Sequence, residues 1–251
     1  MQHVREHKLF AIKNNRVFFP AFLLDKIFSG RDYIVSVDLG QSQDYSAMAV
    51  LRRQWWRTGE RPDPSTAKLW HEIPQLIRWP LDTPYPKIIQ NIVEAVRYIE
   101  SVAKFGVALV VDQGGPGRPV IDLLKKAKVR PIGITIIAGD HVTIRPDESM
   151  TCPKRDICAA LVVAAQSGDL KVSNKLPLAD DFETEVKAFG YTINRRTAKM
   201  GYESIVAKVN DDLVVSAAMG LWYSTQILST AFVSETGRQT ADDYHDYDPL
   251  A

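Results

Sequence analysis

Two short apolar runs in this chain end alike. YIVSVDLG (33–40) and VALVVDQGG (107–115) are each almost wholly apolar, then close on Asp and Gly. That is the pattern of a buried strand stopped by a turn. After the first, QSQD marks a turn and YSAMAVL (45–51) a second strand, completing a hairpin. RRQWWRTGERPDPSTA (52–67) reads as a loop rich in Arg, Pro and Gly. KLWHEIPQLIRW (68–79) reads as a third, edge-type strand whose pairing Pro74 limits. Ile88, Ile89, Ile92, Val93, Val96 and Ile99 recur at helical spacing and predict a helix over 84–104. A helix over 119–126 and a strand, PIGITII (131–137), follow the second run.

Beyond a loop at 138–152, CPKRDICAALVVAAQSGDL predicts a helix with Pro153 near its start and Gly168 at its end. A further helix covers 178–189. GYTINRRTAKMGYESIVAKV reads as a hairpin with a basic tip, and DDLVVSAAMGLWYSTQIL (211–228) as a final amphipathic helix. Three strands, helix, strand, helix, strand and then helices give an α/β fold. Its sheet is mixed, with the first three strands antiparallel, the next parallel, and helices on both faces. The expected organisation is a lead-in over 1–30, one domain over 31–230 and an acidic, flexible tail over 231–251.

Composition narrows the classes. At 251 residues, 45% hydrophobic and 24% charged, the chain is that of an ordinary globular protein, not a disordered or collagen-like one. Lys and Arg number 31 against 30 Asp and Glu, a net +1, which argues against binding nucleic acid by bulk charge alone. The tail holds five acids against Arg238, a net −4, so residues 1–230 carry +5 and leave room for a local basic rim. Cys152 and Cys158 are too few for a disulfide framework and six residues apart suit no zinc knuckle, so both are expected as reduced thiols. No stretch reads as a signal peptide or a membrane span.

The candidate chemistry is acidic. Asp38 and Asp112 each end an apolar strand, and ligand sites in open α/β sheets lie just outside such ends. Either could simply start a turn; together, on neighbouring strands, they would converge. Asp211 and Asp212 open the last helix, where one Asp suffices to cap amides and a second adds repulsion. Leu213, Ala217 and Leu221 share a face that would dock this helix, aiming Asp212 at the strand ends. Carboxylates gathered so closely repel unless cations sit between them. Hard oxygen ligands suit Mg²⁺ or Mn²⁺, and a pair of such ions is a known device for phosphodiester hydrolysis.

VDLGQSQDYSAMAVL, VVDQGGPGRPVIDLL, the 152–191 stretch CPKRDICAALVVAAQSGDLKVSNKLPLADDFETEVKAFGY and NDDLVVSAAMGLW, in this order, resemble the nuclease domain of large terminase subunits, the DNA-packaging enzymes of tailed phages and prophages. The resemblance runs over about 33–224. It implies a ribonuclease H-like fold and an endonuclease that cuts double-stranded DNA with two Mg²⁺ or Mn²⁺ ions held by Asp38, Asp112, Asp212 and Asp211. Where the family often has His before the Asp pair, this chain has Asn210. No Gly precedes a Lys anywhere, so the P-loop of the family's ATPase motor is absent. The expectation is an isolated nuclease domain, a truncated chain or a prophage fragment. Implied partners are double-stranded DNA, a terminase small subunit, a portal protein and a separate ATPase domain. The implied setting is the cytoplasm of a bacterial host.

Lesser signals remain. Lys154, Arg155, Arg195, Arg196 and Lys199 could contact DNA phosphates, which carry affinity without sequence information, or form a solvated face. Gly114, Gly115 and Gly117 could admit a phosphate backbone, or only a tight turn. His3, Glu6 and His7 match a zinc-peptidase spacing at a chain end that usually frays. Trp55 and Trp56 could stack on bases or cover the sheet edge. Rival readings are an actin-like or sugar-kinase-like phosphotransferase, a catalytically silent DNA-binding prophage remnant, and a Holliday-junction resolvase with the same acidic layout.

Overall fold

The computed structural model describes residues 5–7, 10–13, 16–18, 32–40, 44–57, 68–103, 106–115, 117–193, 200–204 and 209–228. In chain order these hold β1 (Arg5–His7), β2 (Phe10–Lys13), β3 (Arg16–Phe18), β4 (Tyr33–Asp38), β5 (Ala47–Arg57), β6 (Lys68–Arg78), α1 (Tyr85–Val102), β7 (Val107–Asp112), α2 (Gly117–Lys126) and β8 (Pro131–Ile137). Then come β9 (Thr143–Ile144), β10 (Met150–Pro153), α3 (Lys154–Gln166), β11 (Leu170–Val172), α4 (Ala179–Ala188), β12 (Phe189–Ile193), β13 (Met200–Ser204) and α5 (Asp212–Trp222), which runs into a π-helical turn, Tyr223–Leu228.

The central strands lie in the order β6-β5-β4-β7-β8. β4 and β6 are antiparallel to β5, while β7 and β8 run parallel to β4. This is the mixed sheet expected from the sequence, its first three strands antiparallel and the next two parallel. β10 continues it in parallel beyond β8, with β9 antiparallel at that margin. The basic-tipped hairpin is present as β12 and β13, although its tip, 194–199, lies outside the described residues, as does the tail.

Period-two alternation splits the core. Val35, Val37, Leu109 and Val111 face α1 and α2, and all six apolar residues of the α1 stripe are buried there. Ile34, Ala108 and Val110 face α5, with residues of α3 and α4 completing that side. Gly220 lets α5 approach closely. A Cβ there would stand 2.6 Å from Leu51 Cδ1 and 3.0 Å from Ser36 Cβ.

Several expectations need correction. Residues 52–57, read as loop, continue β5, because β6 pairs with it as far as Trp56↔Lys68. β6 is not an edge strand: β11 pairs with it in parallel at His71–Ile73. Pro74 sits where the β5–β6 register shifts between Val50 and Arg52, a bulge where a missing N–H is tolerated. The loop expected over 138–152 contains β9 and the start of β10. The lead-in holds β1 to β3, which extend the sheet along the far half of β5. Finally, α5 is not amphipathic. Every residue from Asp212 to Trp222 is buried, as befits a helix enclosed between a sheet and other helices. No helix among the described residues is long and apolar enough to cross a membrane. Cys152 and Cys158 are free and buried, with thiols pushed up to about 12 by burial.

Candidate active site at the strand ends

Asp38 and Asp112 come together because β4 and β7 are parallel and in register. Val37 pairs with Val111, so the next step sets the two carboxylates side by side. Adjacent strands lie ~4.8 Å apart. Alternation puts both on the α5 face, two residues beyond Ser36 and Val110. After Asp112 the chain turns sharply: a Cβ at Gly117 would fall 2.1 Å from the Asp112 carbonyl oxygen. The Gly114 amide donates to Asp112 Oδ1 at 2.8 Å. The glycines following Asp112 therefore make a tight turn into α2 that also fixes the carboxylate.

The third contribution arrives with α5. Leu213, Val214, Ala217, Met219, Leu221 and Trp222 are essentially fully buried, and each larger side chain contributes roughly 1.5–3 kcal/mol. That docking offsets the cost of carrying Asp212, 7% exposed, into the interior. Asp212 Oδ2 has no hydrogen-bond partner among the described residues. Asp211 is the N-cap residue, yet its side chain makes no capping bond. It pairs instead with Lys154 Nζ at 3.4 Å.

The electrostatics bind these residues into one site. Burial, then the charges of Asp112, Asp212 and Asp211, push the Asp38 carboxyl well above its ordinary value, against a smaller pull from Lys154. Burial raises Asp112 too, opposed by amide hydrogen bonds from Gly114 and Ile136 and by Lys154. Asp212 is pushed up to about 6, chiefly by burial, with Asp211 and Asp44 adding repulsion and Arg78 opposing. Among the described residues no three His, Cys, Asp or Glu side chains are drawn tightly enough to enclose an ion as they stand. The carboxylates are gathered but open. Their hard oxygens, mutual repulsion and the bare Asp212 Oδ2 fit a divalent cation such as Mg²⁺ or Mn²⁺.

The basic candidates are distributed differently. Lys154 belongs to the acidic site through Asp211, with its ammonium 5.9 Å from the Phe189 ring centre. Arg155 is exposed and bonded to Asp140 at 2.6 Å and Asp156 at 3.3 Å. Arg195, Arg196 and Lys199 lie outside the described residues, as do the side chains of Trp55, Trp56, His3, Glu6 and His7. Two residues absent from the sequence reading matter here, Arg78 and Glu185. Arg78 ends β6, which runs in the same direction as β4, so the strand-end rule that found Asp38 also points to it. Glu185 sits on the buried Phe182–Glu185–Ala188 stripe of α4, an acid where an apolar residue belongs.

No protein-family model matches the sequence, and no curated protein matches it. Among solved structures, the chain is similar to the nuclease domain of the bacteriophage SPP1 large terminase with bound Mn, at 12% identity over 78% of this chain and 87% of that chain, TM-score 0.44. It is similar to the Mn-soaked human cytomegalovirus terminase nuclease domain at 11% identity over 79% and 86%, TM-score 0.47. It is likewise similar to the large terminase nuclease from thermophilic phage G20c, at 15% identity over 86% of this chain and 91% of that chain, TM-score 0.49.

Proposed function

We propose that this chain is a divalent-metal-dependent endonuclease that hydrolyses phosphodiester bonds of double-stranded DNA, acting as the nuclease domain of a phage-type packaging terminase. One observation carries the reading. Two parallel strand ends and one helix start deliver four carboxylates whose charges bear on one another, and Asp212 Oδ2 is left without a partner among the described residues. Such an arrangement costs stability and is retained where it serves chemistry.

Asp38, Asp112, Asp212 and Asp211 would hold two Mg²⁺ or Mn²⁺ ions. Bound there, the cations supply Lewis acidity at the scissile phosphate and offset the developing negative charge. The chain's part is to hold the oxygens still. Asp38 and Asp112 stand on paired strands, the Gly114 amide fixes Asp112, and Lys154 restrains Asp211. Arg195, Arg196 and Lys199 are proposed to bind DNA phosphates. A terminase small subunit, a portal protein and a separate ATPase are the proposed partners in a bacterial host.

The test is Mn²⁺-dependent nicking of supercoiled plasmid. Asp38→Ala and Asp112→Ala are expected to abolish it while the circular dichroism spectrum is kept. Full activity in both variants overturns the reading. Preference for a four-way junction over linear duplex would assign the site to a resolvase instead.

A further inference from the structure

A helix leaves its first amides without partners inside the helix, and the N-cap side chain ordinarily accepts from the second or third of them. In α5 the third is Val214, the amide that Asp211 is placed to take. It is already taken. Val214 N–H donates to Glu185 Oε2 of α4 at 3.1 Å. Glu185 is 3% exposed, and its other oxygen, Oε1, is ion-paired with Arg78 Nη2 at the end of β6. Arg78 in turn lies over the Tyr45 ring, 5.4 Å from its centre, and 3.9 Å from Asp181. The start of α5 is thus capped by a carboxylate from another helix, and that carboxylate is neutralised by a strand-end arginine. Asp211 is left to Lys154, and Asp212 Oδ2 is left bare.

We propose that Glu185 is the positioning residue of the acidic site: it caps α5 in place of Asp211, so that the Asp211 and Asp212 carboxylates stay available for divalent cations, while Arg78 offsets the burial of its charge. The inference rests on the metal-dependent reading above. Remove Glu185, and Asp211 is free to turn inward onto Val214 N–H, leaving Lys154 and the site. A purely structural ion pair would have no such consequence for the ligands.

The experiment is calorimetric titration of the full chain with Mn²⁺, without DNA. Residues that support metal ligands typically change affinity 10–100-fold when removed, so Glu185→Ala is expected to weaken Mn²⁺ binding by at least about tenfold. In an Asp211→Ala background the same substitution should add nothing, because no side chain remains to be captured. Glu185→Gln combined with Arg78→Met keeps an acceptor for Val214 N–H and leaves neither charge alone. It guards against misfolding of the alanine variant and should bind Mn²⁺ within about threefold of the parent, well inside the 10–100-fold range. Amide exchange at Val214 should accelerate in Glu185→Ala when Asp211 is also Ala, and return toward the parent rate in the Gln/Met variant. Parent-like Mn²⁺ affinity in Glu185→Ala, an undiminished loss in the Asp211→Ala background, or a tenfold loss in the Gln/Met variant each overturns the positioning role. A parent chain that takes up no Mn²⁺ overturns the metal-dependent reading itself.

Discussion

Two regions of this molecule bury ionisable groups, and they treat charge in opposite ways. Around Ser224, placed by the π-helical turn, the buried Arg53 and His71 share one hydroxyl. Arg53 Nε donates to Ser224 Oγ at 2.8 Å, and Ser224 Oγ lies 2.6 Å from His71 Nε2. Burial and the Arg53 charge push His71 down to about 3, so the ring is neutral and can accept the hydroxyl proton. Arg53, lowered to about 10 by burial, remains charged at neutral pH. Twelve residues earlier along α5, about 18 Å at the helical rise, Asp212 meets the reverse: like charges, burial and an unpartnered oxygen. One region discharges or pairs what it buries. The other concentrates one sign of charge that Lys154 and Arg78 only partly offset, the pattern expected of the site of chemistry proposed above.

Substitutions can break this contrast. The largest effect is expected on nicking: Asp38→Asn and Asp112→Asn should lower the rate by at least about 10²-fold, the cost of removing one key electrostatic contact. Ser224→Ala should leave the rate per folded molecule unchanged, and a comparable loss there would erase the distinction. Next is thermal stability with metal. Mn²⁺ at about 100 times its dissociation constant should stabilise the parent by about 2.7 kcal/mol, read as a Tm increase of roughly 5–10 °C. Asp38→Asn should lose most of that gain.

Ser224→Ala, by removing the hydroxyl that Arg53 Nε and His71 Nε2 share, should cost about 2 kcal/mol in urea unfolding. The smallest effect is a slope with pH in the metal-free chain. Asp212, raised from 3.8 to about 6, contributes stability that is full below pH 3.8 and is lost as pH rises through 6. His71, lowered from 6.5 to about 3, works the other way: its contribution is full above pH 6.5 and is lost as pH falls toward 3. Between pH 3.8 and 6 the two slopes oppose. Asp212→Asn removes one of them, so acidification across that window should destabilise the variant relative to the parent by up to about 1.4 kcal/mol per pH unit. An unchanged difference between variant and parent, measured by urea midpoints, would show that Asp212 has no raised carboxyl.

The parts of the fold legible in sequence are those governed by short-range pattern. The α1 stripe needs only its own helical spacing, and all six of its residues are buried as expected. β4 and β7 declare themselves as apolar runs ending in Asp. The far half of β5 did not, because Arg52 to Arg57 carry no apolar alternation. Those residues are strand because β6 supplies hydrogen bonds along them. β11 is only three residues long and exists through its pairing with β6. α5 departs from its local pattern: Leu213, Ala217 and Leu221 mark one apolar face, whereas Val214, Met219 and Trp222 are buried on the others.

The same division runs through the site. The sequence by itself determined that Asp38 and Asp112 end strands and that Asp211 and Asp212 open a helix, since turn chemistry and periodicity act over a few residues. Only the tertiary structure decided what those carboxylates are free to do. Parallel pairing set Asp38 beside Asp112, and the docking of α4 and β6 brought Glu185 and Arg78 to the amide that Asp211 would otherwise have taken. A carboxylate's partners are fixed by whichever groups reach it through space, and here those groups come from distant parts of the chain.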